Sequence, residues 1–125
     1  MTITEADAFI KANLKKWNYS ELIVEWIPNR KSFLGGYQFY RTFRNVLGKY
    51  QSQSQPPPVR ILLTPRILKK DELFREVFLH ELAHALDHRE RGSFQINTRN
   101  SYHGVNWRKW CKVLGIPARR YIDTD

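Results

Sequence analysis

The sequence holds one cysteine and one methionine, and it has no aspartate or glutamate between Trp26 and Lys70. The single thiol, Cys111, excludes an internal disulfide and any zinc ribbon built from several thiolates, and it fits a reducing cytoplasm. No window reaches the ~18 consecutive apolar residues of a membrane span, so no membrane partner is expected. Residues 1–17 carry Glu5, Asp7, Lys11, Lys15 and Lys16, so no cleavable leader is expected there. No internal repeat is present.

What is there suffices for one core. A chain of 125 residues with 42% apolar and 14% aromatic side chains is expected to fold as a single domain over residues 1–125. Lysine and arginine number 21 against 12 acids, a net charge of +9. The acid-free stretch to Lys70 holds nine cations, and a second one, from Arg91 to Ile122, holds seven. The segment between them is acidic and carries three of the four histidines. Cations without acids along the chain read either as a solvated surface or as a footprint for a polyanion, above all nucleic acid.

The pattern of elements predicts an α+β domain. Thr4 is the expected N-cap of a first helix, with Phe9, Ile10, Leu14 and Trp17 on one side. Leu22–Pro28 reads as a strand, Gly35-Gly36 as a tight bend or kink, and Tyr37–Phe43 as a second strand. Residues 45–58, with the run QSQSQPPP, read as a flexible insertion. Val59–Leu63 is a third strand, with Val59, Ile61 and Leu63 on one face, closed by Thr64-Pro65. Asp71 is expected to cap a long helix reaching about Arg89. A last helix runs from about Gly104 to Leu114, with Gly115 as its C-terminal cap and Pro117 beyond. The whole reads as a small sheet of about three strands packed on a long helix with flanking helices.

That long helix contains His80-Glu81-Leu82-Ala83-His84, the pattern H-E-x-x-H. Residues i and i+4 share a helix face about 6 Å apart, so two imidazoles can hold one zinc ion, each nitrogen about 2.0–2.1 Å away. The intervening Glu81 falls beside the metal without ligating it and can take a proton from zinc-bound water. A catalytic zinc needs a third protein ligand and one open position. His88 continues the stripe, but eight residues of rise put it about 12 Å along the axis from His80, too far for one ion. His88 is therefore expected at the surface or behind the ligands, and Cys111 in the core. The remaining histidine, His103, precedes the last helix after a polar loop, and zinc is assigned to His80, His84 and His103. Tyr102 or Arg99, in the loop beside His103, is a candidate donor to a tetrahedral oxyanion. Arg60–Leu63 is the candidate edge for an extended substrate. Asp87 is expected either to orient a ligand histidine or to form a surface salt bridge.

These residues resemble the SprT-like zinc metallopeptidases, including their Spartan-like members. The likeness runs through the initial helix, LIVEWIP, LGG, VRILLTPRIL, LFREVFLHELAHALDH and YHGVNWRKWCKVLG. It implies a zincin-like fold, His80, His84 and His103 as zinc ligands, Glu81 as catalytic acid and base, and DNA binding with cleavage of DNA-associated proteins. Single-stranded or otherwise exposed DNA is the expected partner. Its expected contacts are Arg108, Lys109, Lys112, Arg119 and Arg120, with Trp107 or Trp110 as a stacking residue. A second candidate patch is Arg30, Lys31, Arg41 and Arg44. With one cysteine and little chain after the last helix, the family's cysteine zinc ribbon is expected to be absent. The competing readings are a non-proteolytic DNA-binding or regulatory module stapled by zinc, and a protease whose basic surface serves an acidic substrate.

Overall fold

The computed structural model describes residues 1–38, 59–91, 103–119 and 122. The expected insertion at 45–58 and the strand end at 39–43 lie outside the described residues. The described residues form three helices and a three-stranded mixed sheet, an α+β arrangement. Helix α1 spans Ile3–Lys16, followed by strands β1 (Ile23–Trp26), β2 (Gly35–Gln38) and β3 (Arg60–Leu63). A short 3-10 segment, Pro65–Lys69, leads into α2 (Asp71–Arg91), and α3 spans Val105–Leu114.

Helix α1 starts two residues earlier than the sequence suggested, with its cap at Thr2 rather than Thr4. Thr2 and Glu5 form a reciprocal cap: the Glu5 amide donates to Thr2 Oγ1 at 3.1 Å, and the Thr2 amide donates to Glu5 Oε1 at 3.1 Å. That pair satisfies two amide donors at once, which Thr4 followed by Asp7 does not do here. The helix ends at Lys16, and Asn18 turns the chain with a φ of 51°.

The strand order is β1-β3-β2, with β1 parallel and β2 antiparallel to β3. Val24 and Tyr37 both lie opposite Ile61. The strand expected at the edge, Arg60–Leu63, is therefore the central one, with its backbone paired on both sides. Its alternation is lost because both faces of the strand are covered, with Ile61, Leu62 and Leu63 all buried.

The glycine pair does not bend the chain but forms the first half of β2. A Cβ on Gly35 would stand 2.9 Å from Val77 Cγ1 and 3.0 Å from the Leu62 carbonyl oxygen. The sheet thus meets α2 where the strand has no side chain. Gly35→Ala is expected to destabilise the fold by about 1–3 kcal/mol, because the carbonyl cannot retreat without breaking the sheet. Chemical denaturation of the two proteins checks this, and equal midpoints would contradict it.

The core lies between the sheet and α2. Phe74, Val77, Phe78, Leu82 and Leu86 of α2 meet Ile61 and Leu63, and Phe9 of α1 packs edge-on against Phe74 and Phe78. Each such side chain contributes about 1.5–3 kcal/mol when fully buried. Over His80–Asp87 every residue of α2 is buried, because the sheet covers one side and α3 another. Helix α3 ends as expected at Gly115, whose φ of 75° places it in the left-handed region, and the Ile116 amide donates back to Cys111 O at 3.0 Å.

Candidate metal centre

His80 and His84 stand one turn apart on α2, and His103 sits in the turn just before α3. Docking α3 on α2 brings the third imidazole to the other two. The ring centroids are 5.1 Å apart for His80 and His84, 5.5 Å for His80 and His103, and 4.8 Å for His84 and His103. One nitrogen from each of the three lies within 4.8 Å of the others. Nitrogens about 2.0–2.1 Å from one tetrahedral ion would be about 3.4 Å apart, so modest ring rotations suffice. Three buried or half-buried imidazoles could therefore hold a metal ion, and an all-nitrogen set suits zinc.

The electrostatics favour a neutral His80. Burial, and next the neighbouring His103, lower the His80 pKa to about 4, so this imidazole keeps a lone pair at neutral pH. Trp107 is 1% exposed and walls the site, its ring centroid 5.0, 5.3 and 4.7 Å from those of His80, His84 and His103. Its indole N–H donates to the His80 carbonyl at 3.4 Å. Sequence reasoning offered Trp107 as a stacking partner for bases; its burial against the histidines removes it from that role. Trp110 is half-buried and packs edge-on against Trp17.

Glu81 is 8% exposed, and its Oε1 lies 3.9 Å from His80 Nε2. Burial pushes its carboxyl up to about 8 in the metal-free protein. It can hold a proton, and a cation on the histidines would favour its ionised form.

The remaining candidates separate. His88 does not join the triad: its Nδ1 is hydrogen-bonded to the Tyr37 hydroxyl at 2.8 Å, tying α2 to β2. Asp87 is fully buried, which overturns the surface salt bridge, and its Oδ1 accepts from Asn106 Nδ2 at 2.6 Å. Cys111 is buried against Ala83 and Trp107, with its thiol pushed up to about 12 by burial, as a core residue should be. Tyr102, Arg99, Arg41, Arg44 and Arg120 lie outside the described residues. Arg108 and Lys112 are exposed on α3. Lys109 pairs with Glu90 at 3.1 Å, and Arg119 forks onto Glu76 with its Nε 2.6 Å from Oε2, so acids remote in sequence offset these two cations.

Arg30 and Lys31 are exposed, and Lys31 borders a cavity of about 400 Å³. Arg66 and Lys69 complete its basic wall beside Ser32, Leu34 and Ile122, with no acid among these residues. The Arg66 guanidinium donates to the Arg30 carbonyl at 2.9 Å. The acid-free stretch contained the signal for Arg66 and Lys69, but only the fold shows that they converge on Lys31. Among the described residues no helix is long and apolar enough to cross a membrane.

No curated protein and no solved structure matches the chain. The SprT-like family description matches residues 12–123, a span that includes all three histidines and Glu81, and the chain belongs to the SprT-like family.

Proposed function

We propose that this chain is a zinc-dependent metalloendopeptidase of the H-E-x-x-H type acting on DNA-associated proteins in a reducing cytoplasm. The observation that carries the reading is the convergence of His80, His84 and His103 beside a buried carboxylate that is not needed as a ligand. A structural zinc site would have no use for a base there and would close its fourth position with protein.

His80, His84 and His103 would hold the ion, which supplies Lewis-acid polarisation of the scissile carbonyl and activation of water. Glu81 would accept the proton of the attacking water and return it to the leaving amine. Tyr102 or Arg99 would donate to the developing oxyanion. The extended substrate would add to the outer edge of β2 rather than to β3, whose two edges are taken. Strand β2 is also the strand that Tyr37 ties to α2.

For the nucleic acid, the concave wall of Lys31, Arg66 and Lys69, with Arg30 beside it, joins Arg108 and Lys112 as phosphate contacts. The test measures cleavage of a basic DNA-binding protein by zinc-loaded enzyme with and without single-stranded DNA. Stimulation by DNA is expected. With about six phosphate contacts, affinity for the single strand should fall about 300-fold between about 50 and 200 mM salt. Replacing Lys31 and Lys69 together by Ala should lower the slope of the log–log salt plot by about 1.4. A flat salt response would remove the electrostatic basis for DNA, and absence of cleavage with zinc bound would favour a binding module.

A further inference from the structure

His80 and His84 are fixed by α2, but His103 is not carried by a helix. It sits one residue before Gly104, the N-cap of α3, so its place depends on how the start of α3 docks. Among the described residues, two polar contacts join the first turn of α3 to α2, with the Lys109–Glu90 pair further along α3. One is the Trp107 indole on the His80 carbonyl, and the other joins Asn106 to Asp87.

The second contact is in step with the ligands. Asp87 lies three residues after His84, and Asn106 lies three residues after His103. The hydrogen bond therefore repeats the His84–His103 contact one step further along both segments. Asp87 is 0% exposed, and its Oδ1 accepts from Asn106 Nδ2 at 2.6 Å. A carboxylate with no access to water is costly unless its oxygens are bonded, so the pair strongly resists separation. Sliding or tilting the first turn of α3 would break it, and the same movement would carry His103 off the other two imidazoles.

We infer that Asp87 and Asn106 form a positioning clamp that sets His103 against the His80–His84 pair and so fixes the geometry of the metal site. The inference rests on the reading of the three histidines as ligands. It makes Asp87 a positioning residue that acts through the third ligand without touching the metal.

The test is a double-mutant cycle on the full chain, with zinc affinity read by competition against a chromophoric chelator. Asp87→Ala should weaken zinc binding about 10–100-fold, the usual effect of losing a group that orients a ligand. Asp87→Asn keeps an oxygen facing Asn106 and should recover most of that loss. In a His103→Ala background, Asp87→Ala should leave the affinity within about twofold, since nothing remains for it to position. If Asp87→Ala does not fold by circular dichroism, Asn106→Ala breaks the contact from the other side and enters the same cycle. Equal losses in both backgrounds, or no loss with His103 present, would overturn the clamp. Failure of the unaltered protein to take up zinc would overturn the metal-site reading along with it.

Discussion

Glu81→Gln is expected to cut proteolysis by about 10²–10⁴-fold while zinc remains bound. Glutamine has nearly the same shape and fits the same buried niche, where Glu81 is 8% exposed. It cannot accept a proton, and the ligand set of three imidazoles does not include position 81. The loss should therefore appear in kcat, with little change in metal content by elemental analysis. A Glu81→Gln protein that cleaves as fast as the original would show that another group is the base.

The same substitution has a second consequence in chelator-treated protein. Glu81 moves from an ordinary value of 4.5 to about 8 on burial. Between those values the folded state binds more protons than the unfolded one, so stability falls as pH rises from 4.5 to about 8. His80 shifts the other way, from 6.5 to about 4, and there too the slope follows from proton count: the unfolded state binds more protons, so stability falls as pH drops from 6.5 to about 4. The two slopes oppose each other between 4.5 and 6.5, leaving Glu81 alone of this pair to act above 6.5. The metal-free protein should lose stability from pH 6.5 to about 8, and Glu81→Gln should flatten that limb. Denaturant midpoints across this range measure it; an unchanged slope in the variant would assign the titration elsewhere.

The site was legible in the sequence because its geometry is mostly local. His80, Glu81 and His84 need only the helical repeat, and the apolar residues around them supply the helix. His103 followed from elimination among four histidines, since rise along a helix rules out His88. Sheet order was not legible. Nothing in the apolar run of Arg60–Leu63 says whether one or both of its edges are paired, so the central strand read as an edge. The glycine pair misled for a related reason: Gly35 relieves a contact with Val77, far along the chain, and a turn and a close approach leave the same mark in a sequence. Charges behaved alike. Arg119 has no acid just before it along the chain, yet Glu76 reaches it across the fold. Asp87 could not be separated from a surface residue until α3 was seen to cover it.

His103→Ala and His88→Ala put the ligand assignment to its sharpest test, because both residues are histidines within reach of the motif in sequence and they occupy different places in the fold. Loss of a group that only orients a ligand costs about 10–100-fold in metal affinity, so loss of His103 itself should cost more than ~100-fold. His88→Ala should leave zinc affinity near its original value. It should instead cost about 0.5–1.5 kcal/mol of stability, because the half-buried Tyr37 hydroxyl loses the imidazole it meets at 2.8 Å. Burial also raises the Tyr37 pKa, so that hydroxyl stays protonated. The two substitutions thus separate on two axes: one loses metal, and the other loses fold stability with the metal retained. Zinc titration and thermal unfolding on the same pair of proteins read both. The opposite pattern, with His88→Ala losing zinc and His103→Ala keeping it, would move the third ligand onto α2. It would also require that helix to depart from a straight rise between His80 and His88, since about 12 Å along the axis cannot be spanned by one ion.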